Sequence, residues 1–216
     1  MFRNLFRPDS ALMITMSRIT DYIFLSLFWF VGCIPVITIG AACTALYDSI
    51  GRIQQNEGFD WKSYWKAFRR DFKKSTVLWL LQALISALVG YALVFYIKSD
   101  ASIGGVGRIV CIIVGIIWLL ASAWIFPIHA KYDNTPRQTV KNALLCGIMF
   151  LPQSVIAAFF NAVPFAVGLF FPKIFGMMGV VWFMLWFSIS GTVIHRYFQK
   201  PFAKLQAAQQ PPNQNP

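Results

Sequence analysis

Acidic residues are scarce in this chain. Eight Asp and Glu stand against 19 Lys and Arg in 216 residues, and charged side chains make up only 12% of the total. A soluble domain carries roughly 25% charged residues to cover its core, so a water-soluble globule is excluded. No carboxylate lies deep within a long apolar run: Asp21, Asp48, Asp100 and Asp133 all fall near run ends. Proton relays across membranes need buried ionisable groups, so this absence weighs against a proton-coupled pump.

Catalytic and metal-binding patterns are missing too. Only two histidines occur, His129 and His195, and neither sits in an H-e-x-x-h type arrangement. Both are read as side chains at the ends of membrane segments. Cys33, Cys43, Cys111 and Cys146 are widely spaced, with no C-x-x-C pair, so reduced buried thiols are expected in place of disulfides or zinc. There is no Gly-rich phosphate loop and no catalytic Ser motif. The sequence implies no cofactor, no metal and no catalytic centre. The net charge of +11 attracts phosphate, but without a nucleic-acid module it does not indicate nucleic-acid binding.

What the chain has is length without charge. Charge-free runs cover Tyr22 to Tyr47, Ser75 to Ile97, Ile109 to Ala130, Asn142 to Pro172 and Ile174 to Ile194. About 20 apolar helical residues cross a hydrocarbon core of about 30 Å, and open membrane elements must be helical to satisfy their backbone. The expectation is an all-α polytopic bundle of five membrane segments in one domain over residues 1–205. Residues 206–216, rich in Gln, Pro and Asn, read as a disordered polar tail. The first apolar run is read as an uncleaved membrane segment rather than a signal peptide.

Basic residues orient such a bundle, because Lys and Arg accumulate on the cytoplasmic side. Five simple spans divide the 19 Lys and Arg 13 to 6 and leave the amino-terminal arginines on the minority side. A chain reversal inside the first run divides them 16 to 3. Gly32-Cys33-Ile34-Pro35 offers a place for it, since Pro35 removes a donor and disfavours helix at Ile34. Residues 22–47 are thus either one span or a re-entrant pair, and both readings stand at this point.

Residues 60–74 carry the strongest amphipathic pattern. Trp61, Trp65, Phe68 and Phe72 recur at helical spacing, and Lys62, Lys66, Arg69, Arg70, Lys73 and Lys74 surround them. Asp60 is positioned to cap the start. The expectation is an interfacial helix whose basic groups meet anionic lipid headgroups or dock a partner. A second set, Pro35, Thr38, Gly40, Asn161 and Pro164, marks candidate helix breaks that would expose carbonyls to a solute; the uncharged polar residues Gln82 and Gln153 join Asn161 as candidates along such a path. Small residues at Ala83, Ser86, Ala87 and Gly90, and again at Ser188, Gly191 and Thr192, read as helix contact faces. Gly104 to Gly107 reads as a flexible turn. Oligomeric state is left open.

Pro35-Val36-Ile37-Thr38-Ile39-Gly40-Ala41-Ala42, then Ala45-Leu46-Tyr47 and the stretch from Tyr64 to Lys74, resembles the YesL family of bacterial membrane proteins. The resemblance is clearest over about residues 1–80. It implies a small multi-pass protein of the bacterial plasma membrane, with a cytoplasmic carboxyl terminus expected from the charge pattern. It also implies a link to carbohydrate uptake or sensing and a sugar transporter or sensor component as partner, with no established reaction. Two functions follow as expectations: a non-catalytic accessory component, or a small-solute transporter or channel built on the broken helices.

Overall fold

A computed structural model of the chain describes residues 11–98, 102–132, 134–170, 186–199 and 201. The described residues form helices: α1 (Ala11–Cys33), a 3-10 turn (Val36–Thr38), α2 (Ile39–Gln54), α3 (Trp61–Lys98), α4 (Ser102–Lys131), α5 (Pro136–Met149) and α6 (Leu151–Phe170). Residues 186–199, here α7, are also helical. Three helices are long and apolar enough to cross a membrane, Val36–Gln54, Trp61–Lys98 and Gly105–Lys131, or four if the bent pair α5 and α6 forms one span. This is an all-helical fold with the helices of a membrane protein. Of the five expected segments, 174–194 lies largely outside the described residues, as does the tail at 206–216.

The first apolar run is not one helix. α1 ends at Cys33, where Pro35 bars helix at Ile34, and α2 then returns alongside it. Arg18 Nη2 donates to Asn56 Oδ1 at 2.6 Å, which brings the start of α1 beside the end of α2. At 1.5 Å per residue α1, with 23 residues, rises about 34 Å and α2, with 16, about 24 Å. The two arms of the hairpin reverse the chain within the first apolar run. Asn56 (φ 67°) and Gly58 (φ 72°) take left-handed backbone in the loop that leaves α2, conformations that Asn and Gly adopt most readily.

α3 begins where Asp60 accepts from the backbone N–H of Lys62 at 3.1 Å and of Ser63 at 3.0 Å. It then continues without interruption to Lys98, about 57 Å of helix. The expected interfacial helix at 60–74 and the expected span at 75–97 are thus one element. Nothing between Lys74 and Val77 breaks helical geometry; only the composition changes there, from basic to apolar. The hairpin packs along the basic half, while Leu84, Leu88 and Val94 on the apolar half are exposed, as side chains facing lipid would be.

α4 returns along α3. Gly107 lies against the Tyr96 ring, and a Cβ at Gly115 would meet Val89 at 3.4 Å, so glycines let these helices approach. Gly104 to Gly107 is helical rather than a turn. The small-residue face expected at Ala83, Ser86, Ala87 and Gly90 is mostly exposed; only Ser86, which accepts from Trp118 Nε1 at 3.0 Å, joins the α4 contact. The second small-residue face is a contact: Ser26 Oγ donates to Ser188 Oγ at 2.6 Å, and Gly191 lies against Ile50. Trp29 stacks on Phe187 with centroids 4.7 Å apart, seating α7 on the hairpin.

α5 starts from a capping box in which Thr135 and Gln138 bond each other's backbone, with Pro136 in the first turn. α5 and α6 meet at 108°. The break is at Phe150, and α6 runs on through Asn161 and Pro164 to Phe170. The expected break near Asn161–Pro164 is therefore displaced by about three turns. Pro152 falls in the first turn of α6, where its missing N–H costs no intrahelical bond. Ser154 Oγ closes the break: it lies 3.0 Å from the Gly147 carbonyl oxygen and 2.9 Å from that of Phe150, sharing its proton, and it accepts from Trp124 Nε1 at 2.7 Å.

Candidate functional site

The basic stretch of α3 has two faces with different surroundings. Its inner face buries Tyr64, Ala67 and Phe68 in the core formed with Leu25, Trp29 and Ala45 of the hairpin. The Tyr64 hydroxyl donates to the Phe28 carbonyl oxygen at 3.4 Å. Of the four aromatics expected on one face, Phe68 is 8% exposed and packed against the hairpin, Trp65 and Phe72 are half-buried, and Trp61 is 54% exposed. The face that packs is thus rotated toward Tyr64, Phe68, Asp71 and Ser75. Tyr64 is fully buried and was missed by spacing arguments centred on tryptophan; its i, i+4 relation to Phe68 was the available signal.

The outer face is concave and cationic. Trp61, Lys62, Trp65, Lys66, Arg69 and Arg70 line a cavity of about 820 Å³. Lys62 Nζ lies 5.7 Å from the Trp61 ring centroid, a cation–π arrangement. Among the described residues the lining contains four cations and no carboxylate. Asp71, the acidic residue of this stretch, is turned inward and buried. Lys73 and Lys74, also expected at this surface, belong to the next turn and do not line the cavity.

Arg70 links this face to the hairpin. Its guanidinium contacts Asp71 Oδ2 at 2.7 Å and Asp48 Oδ1 at 3.6 Å, and Arg52 Nε holds Asp48 Oδ2 at 3.0 Å. Two carboxylates near the packed side are thereby neutralised by two arginines, which leaves Lys62, Lys66 and Arg69 to set the sign of the outer surface. At the start of the helix, the hydrogen bond from Ser63 and those from two backbone amides hold the Asp60 carboxyl below its ordinary range.

Pro35, Thr38 and Gly40 are gathered at the hairpin tip. Pro35 reverses the chain. Thr38 Oγ1 lies 2.6 Å from the Gly32 carbonyl oxygen and 2.7 Å from that of Pro35, and caps the end of α1. Gly40 packs directly on the Ser75 backbone, with Trp79 Cβ only 2.8 Å from where its own Cβ would stand. Thr44 Oγ1 and Ser75 Oγ pair at 2.9 Å one turn further on. These residues lock the hairpin onto α3. Gln82 is half-buried on α3, Gln153 on α6, and Asn161 is half-buried further along α6. His129 is buried in the last turn of α4.

Helices of this length and apolarity, with a cationic rim on one of them, are those of a membrane protein. Within that class the family model described as "Protein of unknown function, DUF624" matches residues 22–93. That family is the one commonly called YesL-like, and the resemblance carried by Pro35 to Ala42 stands. The match runs from mid-α1 through the hairpin and most of α3, the unit just described. No curated protein and no solved structure matches the chain.

Proposed function

We propose that the protein is a non-catalytic accessory component of the bacterial plasma membrane, docking through the outer face of α3. The observation that carries this reading is the 820 Å³ concavity lined by Trp61, Lys62, Trp65, Lys66, Arg69 and Arg70. Exposed indole beside unneutralised cations suits the boundary between acyl chains and anionic headgroups. In this reading the base of the hairpin, the basic half of α3 and the end of α7 face the cytoplasm, which puts most Lys and Arg inside. The first four turns of α3 then do the interfacial work as the rim of a longer helix. Five membrane segments remain the proposed total, with the hairpin inserted from the cytoplasmic side.

The link to carbohydrate uptake or sensing comes from the family resemblance, and the proposed partner is a sugar transporter or sensor component. Purification from native membranes in mild detergent tests both parts. The expected result is retained anionic lipid together with a transporter or sensor subunit, and loss of both when Lys62, Lys66 and Arg69 are changed to Gln. Recovery of neither from the unaltered protein contradicts the reading.

The 108° bend between α5 and α6 favours a second reading, a small-solute transporter or channel. Ser154 and Trp124 fill the hydrogen-bonding positions that the bend opens, which counts against it. Solute flux into liposomes carrying the purified protein decides, with flux expected only under this second reading.

A further inference from the structure

The cationic face of α3 has an internal order that bears on what it can receive. Lys62, Lys66 and Arg69 are exposed and stand at i, i+4 and i+7. At about 100° per residue they fall within about 60° of one another and climb about 10 Å along the helix axis, so they form one stripe. Trp61 and Trp65 flank the stripe on one side and Arg70 on the other, and these six side chains line the concavity of about 820 Å³. The Trp61 side chain is left largely open to the surroundings.

The stripe carries charge that the rest of the protein leaves unmatched. Among the described residues the ion pairs engage Arg52 and Arg70 with Asp48 and Asp71, and none reaches Lys62, Lys66 or Arg69. Asp60, at the start of the helix, is held by Ser63 and by the amides of Lys62 and Ser63, and of the three cations it feels only Lys62. Like charges one turn apart, about 5–6 Å between Cβ atoms, repel one another, and carboxylates presented at the same pitch relieve that repulsion. Headgroups of one leaflet lie in one plane, whereas the stripe runs along a helix that continues unbroken into its apolar half. Anionic lipid therefore meets the Arg69 end, and the Lys62 end is left to a binding element that follows the helix axis.

We propose that the outer face of α3 receives an acidic amphipathic helix of the partner protein, with carboxylates at i, i+4 and i+7 meeting Lys62, Lys66 and Arg69 and an apolar edge lying on Trp61 and Trp65. The inference rests on the reading above that this face docks a partner, and it names the chemistry of what docks. Tryptophan beside arginine is the composition of interface anchors, and a helix laid in a groove is matched through residues at this same spacing. Exposed ion pairs are individually weak, so recognition comes from register. A helix with the same carboxylates scattered around its circumference offers the stripe only one of them at a time.

The test uses the full-length protein in phosphatidylcholine nanodiscs and two fluorescein-labelled synthetic peptides of about three heptads and identical composition, with binding to empty nanodiscs subtracted. One peptide carries Glu in an i, i+4, i+7 stripe beside Leu; in the other the same Glu residues are spaced evenly around the helix. The striped peptide is expected to bind about tenfold more tightly, and Lys66→Gln with Arg69→Gln to lower its affinity about tenfold, the worth of two exposed pairs. Both side chains are exposed, so the fold is not at stake, and Lys98→Gln with Lys141→Gln, which removes the same charge at other exposed positions, should leave binding unchanged. Equal binding of the two peptides, binding of neither, or an equal loss with the Lys98 and Lys141 pair overturns the proposal. Purification from native membranes separates that result from failure of docking itself. A subunit retained through Lys62, Lys66 and Arg69 without any peptide preference leaves the docking reading standing and removes the acidic helix; anionic lipid recovered alone assigns the face to headgroups and also overturns the proposal; recovery of neither overturns both.

Discussion

Gly40 lies on the backbone carbonyl of Ser75 with no space for a side chain between them. The contact fixes how the α1–α2 hairpin meets α3, and so determines which side of α3 is left to form the cationic surface. Adding even one methyl group must push α2 away from α3. Gly40→Ala is expected to cost about 1–3 kcal/mol, the usual penalty for overpacking, whereas Gly90→Ala, with nothing within 4 Å of its Cβ position, should leave stability unchanged or slightly raised. Thermal unfolding of both variants in the same detergent checks the contrast, and equal effects would remove the explanation of Gly40.

Ser154 should be equally intolerant for a different reason. Its hydroxyl serves the Gly147 and Phe150 carbonyls and accepts from Trp124, all in a buried place. Ser154→Ala deletes that node, with a destabilisation of about 1–3 kcal/mol expected for buried groups losing their partner. Denaturant unfolding followed by circular dichroism checks it. A variant as stable as the parent would mean that the bend at Phe150 does not need closing.

The cap at Asp60 gives a pH dependence at the acid end. Its carboxyl is held below its ordinary value of 3.8 by Ser63 and the first amides of α3, so the folded state favours the charged form. The contribution is complete above the unfolded value and is lost as pH falls through the folded one. Hydrogen exchange at the amides of Lys62 and Ser63 should therefore accelerate in acid beyond its intrinsic trend, and Asp60→Asn should flatten that response.

His195 works in the same direction at higher pH. Burial, then the nearby Lys131, lower its pKa from 6.5, so folding favours the neutral ring and the unfolded chain binds more protons. Its contribution is present above pH 6.5 and is lost as pH falls through the folded value. Unfolding measured from about pH 8 to about pH 5, where histidine titrates, should show a decline that His195→Gln reduces.

Much of this architecture could be read from hydropathy and from proline. The charge-free runs within the described residues became helices, and Pro35 broke the first of them because proline acts locally through φ and the lost N–H. Pro164 misled for the same local reason: a proline within a helix can be accommodated by its surroundings, and the actual break was set by Phe150 and Ser154 meeting Trp124, a residue some 30 positions away. The cationic half of α3 was legible as residue types and spacing. Its inward face was not, because Tyr64 and Asp71 are chosen over Trp61 and Trp65 by where the hairpin lands. That choice depends on Gly32 and Gly40, whose role emerges only with α3 beside them.

In the proposed topology the chain enters and leaves the membrane on one side through the α1–α2 hairpin, leaving the base of α3 and its cationic face on that side. Single cysteines at Thr20, Ile37 and Glu57, introduced with the four native cysteines replaced by alanine, test it by labelling with a membrane-impermeant maleimide. In intact spheroplasts none of the three should react, and after permeabilisation Thr20→Cys and Glu57→Cys should react together. Labelling of Thr20→Cys from outside while Glu57→Cys stays protected, the arrangement that five simple spans require, would mean that residues 22–47 cross the membrane once, and would contradict that topology.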